Sequence, residues 1–114
     1  MGAYTPTTIS KAGTTPAFNP VAASDTIDAS LLNGRPAILQ IKNAGGSADS
    51  VVVQDNGRTP GGNPVGAGSP AVSVPATSGD REILVLPEYA DAANVITVTH
   101  SFTTSVTWFL KRLP

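Results

Sequence analysis

His100 is the only histidine in the chain of 114 residues, and no cysteine accompanies it. A lone imidazole can serve as general base for a serine or threonine hydroxyl, but it needs an orienting carboxylate and an oxyanion pocket beside the nucleophile. The spacing of the chain supplies neither. In VITVTH the histidine shares the face of Ile96 and Val98 near a strand end, so its expected place is a sheet rim, hydrogen-bonded or solvent-facing. The carboxylates, Asp25, Asp28, Asp55 and Asp80 among them, fall mostly at turns, where Asp bonds backbone amides; they are turn residues before they are calcium or catalytic candidates. No ligand spacing for a metal is recognisable, and the absence of cysteine removes disulfides, thiolate catalysis and cysteine-type zinc sites. The Gly-rich run DNGRTPGGNPVGAGSP lacks the lysine followed by serine or threonine that opens a helix in a phosphate-binding loop. The chain is therefore read as a non-enzyme, with no cofactor and no metal.

Seven basic and eight acidic side chains leave a formal charge of −1, so there is no positive excess for a phosphate backbone to attract and nucleic acid is not an expected partner. Charged residues make up 13%, about half the usual share, in a chain rich in Thr, Ser, Gly, Pro and Val: a β-rich structural surface. No apolar run approaches the ~20 residues of a membrane span, and Met1 to Ser10 lacks a signal-peptide layout; the expectation is synthesis in a cytoplasm and no membrane partner. The length suits one domain with one core.

The elements that must carry any function are strands. In AILQIKN, Leu39 and Ile41 alternate with Gln40 and Lys42, and in DSVVVQ, Val51 and Val53 alternate with Ser50 and Gln54; with AGGSA between them, residues 37–54 read as a β-hairpin. A second hairpin is read at VITVTHSF and VTWFLKRL, joined by TTS, with Val106, Trp108 and Leu110 inward. That register turns Phe109 outward, where a loop or a partner must cover it. REILVL, residues 81–86, is apolar on both faces and is expected to lie centrally or to be covered on its second face. SDTIDASLLNG admits either a short helix capped by Ser24 or a strand over Asp25 to Asp28 leading to an Asn33-Gly34 turn, with the strand favoured; one helical turn after the strand satisfies both. Residues 55–70 read as a long loop or hairpin excursion, Val72 to Val74 as a short strand, and EYADAAN as a connection with Tyr89 against a sheet end. Residues 1–24, with Pro6, Pro16 and Pro20, form an arm or edge strands anchored by Tyr4, Ile9, Phe18 and Val21, paired within the subunit or laid on a neighbour. The whole predicts a single-domain all-β sandwich of about 7–8 short antiparallel strands over residues 25–114, Greek-key or jelly-roll-like, with residues 1–24 as an extended N-terminal arm.

Taken in order, AYTPTTISKAGTTPAF, SDTID, NGRPAILQIKNAGGSADSVVVQD, the Gly/Pro loop, VSVPATSGDREILVLP and VITVTHS with TSVTWFLKRL resemble the small capsid decoration, or cement, proteins of tailed bacteriophages, particularly those of actinobacteria. The likeness covers nearly the whole chain, and the ASLL insertion before Asn33-Gly34 departs from it. The resemblance implies a virion protein on the outer surface of the head, assembled as a homotrimer near threefold and quasi-threefold positions and tying adjacent major capsid subunits together. It carries over no catalytic residues. The partner-contact candidates are Tyr4, Thr5, Ile9 and Phe18 in the arm, Arg58 in the loop and Phe109 on the outer strand face. Two other readings are a tail, head-fibre or head-to-tail accessory protein, and a carbohydrate-binding β-sandwich built on exposed aromatic platforms.

Overall fold

A computed structural model describes residues 2–54, 71–91 and 93–113. Ten strands are described: β1 (Ala3–Tyr4), β2 (Thr7–Thr8), β3 (Asn19–Pro20), β4 (Ser24–Asp28), β5 (Ala37–Asn43), β6 (Asp49–Val53), β7 (Val72–Val74), β8 (Gly79–Val85), β9 (Val95–His100) and β10 (Val106–Arg112). They form two mixed sheets, ordered β1-β4-β9-β6-β7 and β2-β10-β5-β8, with β3 also paired to β10. Followed inward from both ends, β3 pairs β10, β4 pairs β9, β5 pairs β8 and β6 pairs β7, all antiparallel. The chain is thus one long hairpin rolled up, and β10 against β5 and β9 against β6 stitch the roll into two sheets. This is the connectivity of an eight-strand jelly roll, the all-β sandwich that the alternation predicts. Only the two-residue strands β1 and β2 pair in parallel, with β4 and β10.

Two expected hairpins are absent. β5 and β6 lie in different sheets, and so do β9 and β10, so residues 44–48 and 101–105 are arches that carry the chain across the core. Alternation reports which face of a strand is buried; it does not report which strand lies beside it. Both members of each arch turn the same face to the core, as a hairpin packed on a core would. The REILVL segment is also placed differently. Its strand, β8, is the outer edge of its sheet and not central, and among the described residues Leu84 is 56% exposed. Asp80, Arg81 and Glu82 precede the apolar residues, and charges of this kind blunt an open edge.

The strand reading of 25–28 and the single helical turn after it are both present. β4 is followed by a 3-10 turn over Ala29–Leu32, which Asp28 caps by accepting from the amide and hydroxyl of Ser30, and Asn33 ends it in the left-handed region at φ 55°. Those two bonds hold the exposed Asp28 carboxyl below its ordinary range. Residues 2–20 do not stand apart: β1 joins the edge of one sheet, while β2 and β3 lie along β10 in the other. The core between the sheets is filled by Ile27, Leu39, Ile41, Val51, Val85, Ile96, Val98 and Leu110, each with no exposed surface.

Candidate functional site: two ends of the sandwich

The register divides the molecule into two ends. At the arch end, three strands carry a polar residue at an inward position: Asn43 after Leu39 and Ile41, Asp49 before Val51 and Val53, His100 after Ile96 and Val98. All three are buried. One Asp49 oxygen lies 2.6 Å from Nδ1 of His100, and the other accepts from the amides of Ser101 and Phe102 at 3.0 and 3.2 Å. The other ring nitrogen, Nε2, is hydrogen-bonded to the Tyr4 hydroxyl at 2.7 Å. The Tyr4 ring stacks on Trp108 with centroids 4.3 Å apart. Asn43 donates to the carbonyls of Ser47 and Val74 and accepts from the amide of Gly45. Ala44 donates to the Ser105 carbonyl, joining the two arches, and a Cβ on Gly45 would collide with the Thr104 carbonyl and the Phe102 ring.

Burial, then a hydrogen bond and the charge of Asp25, then the charge of Asp49, push the Tyr4 phenol well above its ordinary range. An imidazole held between a carboxylate and a hydroxyl has the parts of a nucleophilic relay, yet Tyr4 is 1% exposed and its hydroxyl is buried against His100. The arrangement closes the sandwich. Of the two rim readings of His100 the hydrogen-bonded one holds, at the end of β9, and its orienting carboxylate, which the spacing did not reveal, is Asp49, 51 positions away in sequence. The missed signal was a polar residue at the inward position of three neighbouring strands. Among the described residues no group of three or more His, Asp or Glu side chains converges to hold a metal, and no helix is long and apolar enough to cross a membrane.

The other end is left apolar and open. Leu31, Leu84 and Leu113 are 40%, 56% and 67% exposed. Leu84 and Lys111 both stand opposite Ile38, Ala37 stands opposite Arg112, and Arg112 donates to the Leu31 carbonyl, so all three leucines lie where β5 begins and β8 and β10 finish. A hollow of about 250 Å³ lined by Leu32, Asn33, Arg35 and Leu113 indents this end. The sheet face beside it holds the mixed charges: Lys111 pairs with Glu82 at 2.6 Å and reaches Gln40, which donates to Asp80.

The partner-contact candidates scatter. Thr5 is exposed and Ile9 half-buried, its amide bonded to the Arg112 carbonyl at 2.9 Å. Phe18 and Phe109 come together with ring centroids 5.6 Å apart, and the Lys42 ammonium sits 4.5 Å from the Phe18 ring. Phe109 points outward as its register requires, but the chain's own arm covers it and leaves it 3% exposed, so the cover is a loop and not a partner. Tyr4, buried in the core, likewise presents no surface of its own. Arg58 lies outside the described residues. The three exposed leucines, two of them in segments read as buried or left undiscussed, form the apolar surface that the candidates missed. Comparison with protein-family models, with curated proteins and with solved structures returns no match.

Proposed function

We propose that the chain is a structural protein of a virion: a decoration protein that binds the outer surface of a tailed-phage capsid as a homotrimer and stabilises contacts between major capsid subunits. It is made in the host cytoplasm and takes no cofactor. The observation that carries the proposal is the leucine end. Soluble chains gather exposed large apolar side chains at one place chiefly where protein covers them. Here Leu31, Leu84 and Leu113 stand beside the open seven-residue edge of β8, on a domain whose opposite end is fully hydrogen-bonded. The resemblance of the ordered segments supplies the kind of partner, and the physics suits it. A rigid sandwich keeps its contact surface preformed, a net charge of −1 limits repulsion between crowded copies, and linked copies make each later contact intramolecular. A subunit that binds the expanded shell in preference to its precursor stabilises that shell by mass action.

The carbohydrate reading loses its footing on the same surface, because all six aromatic rings are buried or half-buried and offer no flat exposed platform. Copy number tests the leading reading. Quantified protein from purified particles should show the chain spread in many copies over the head; a handful of copies per particle would move it to the tail or the head-to-tail junction, and none would remove it from the virion.

A further inference from the structure

The N-terminal arm is held by very little of itself. From Gly2 to Ala17, Tyr4 is the one residue buried in the core, and the rest are exposed or half-buried. Its socket is specific: the Trp108 ring on one face, Nε2 of His100 at the hydroxyl, and the edge of β4, which pairs Ala3 with Thr26 and Tyr4 with Ile27. Beside it the buried Asp25 carboxylate accepts from the amide of Gly2 at 2.7 Å. An empty socket would leave the His100 nitrogen and one Asp25 oxygen buried without these partners, so a tyrosine-bearing strand must fill it. Nothing in the socket distinguishes the chain's own arm from that of a second copy.

Reach permits the exchange. Sixteen residues lie between Tyr4 and Val21, where the chain re-enters the sandwich; extended, this stretch spans on the order of 55 Å. The longest dimension of the molecule is 44 Å. Release breaks the two-residue pairings of β1, β2 and β3, the Tyr4 socket contacts, the Gly2, Thr8 and Ile9 hydrogen bonds and the Phe18 contact, and every one of these re-forms identically on a neighbour.

We infer that the arm is exchanged between copies of this chain, with Tyr4 of one copy plugging the His100 and Trp108 socket of the next. The exchange is independent of what the assembled protein binds. Passed head to tail around a ring, it links every copy to two others without any new surface, and it joins the polar network of one copy to the backbone of its neighbour.

The chain has no cysteine, which gives a clean background for crosslinking. Ala3 and Thr26 are register partners. Chains carrying Ala3→Cys alone and Thr26→Cys alone, bearing different tags, are co-expressed and oxidised with copper phenanthroline, with the double variant A3C/T26C as the control for thiol geometry. Exchange predicts a reducible heterodimer at twice the 11.6 kDa chain mass from the mixed single variants, and interchain products from the double variant. A double variant that oxidises only within one chain, with no heterodimer from the mixture, overturns the inference. Both substitutions lie on exposed or half-exposed positions, and an unchanged far-ultraviolet spectrum verifies that each variant folds.

Discussion

The two ends of the sandwich face the same problem, strands that stop and backbone groups that need partners, and resolve it in opposite ways. At the arch end, Asn43, Asp49 and His100 reach inward and satisfy the turning backbone from inside, and among the described residues no buried side-chain nitrogen or oxygen lacks a partner. At the leucine end, among the described residues, the strands stop at apolar side chains that stay exposed. The difference separates stability from association. The arch end is tied together by buried polar side chains, whereas the leucine end adds exposed apolar side chains to a core that Leu32, Ala37 and Val85 complete. Substitutions at the two ends should therefore fail in different assays.

The largest expected loss comes from Asp49→Ala. It strands a buried imidazole nitrogen and two amides, which costs about 3–5 kcal/mol and should lower the thermal midpoint by on the order of 15 °C. Loss of only a degree or two would mean that the arches do not depend on the carboxylate. Gly45→Ala comes next: the new Cβ meets the Thr104 backbone of the other arch, and about 1–3 kcal/mol of overpacking should appear in chemical denaturation.

Tyr4→Phe removes the buried hydroxyl that bonds His100 and should cost about 1–3 kcal/mol at neutral pH. It also has a pH signature. The folded chain keeps the phenol protonated beyond its ordinary pKa of 10.0, whereas the unfolded chain releases that proton near 10. Above about pH 10 the unfolded state binds fewer protons, so this share of stability is complete below pH 10 and falls as pH rises. The gap between the wild-type protein and Tyr4→Phe should thus narrow under alkali in denaturation curves run from pH 8 to 11; a constant gap would place the hydroxyl in water. The smallest effect on folding belongs to Leu84→Ser and Leu113→Ser, within about 0.5 kcal/mol in the same denaturation assay.

Legibility in the sequence follows the same division. Alternation was enough to orient β5, β9 and β10, because a two-residue period needs only the side chains of one strand, and Trp108, Ile41 and Val98 lie inward as it requires. Pairing was not legible. AGGSA and SFTTS suit a hairpin and an arch equally well, and the pairing that distinguishes them joins residues far apart in sequence, as Asp49 meets His100 and β10 meets β5. The outward register of Phe109 was right, but its cover is Phe18, 91 positions earlier, a pairing that no local pattern encodes. Of the two readings of REILVL the central one fails, because β8 is an edge strand that the charged residues before Ile83 mark, and its second face is left exposed at Leu84.

The central claim is that the leucine end is covered by protein in the assembled particle. Its most direct test is the occupancy of particles by the double variant L84S/L113S, measured by quantitative mass spectrometry beside its thermal midpoint in solution. The account predicts a midpoint within a few degrees of the wild-type protein and a loss of most bound copies. Full occupancy by the folded variant would contradict it.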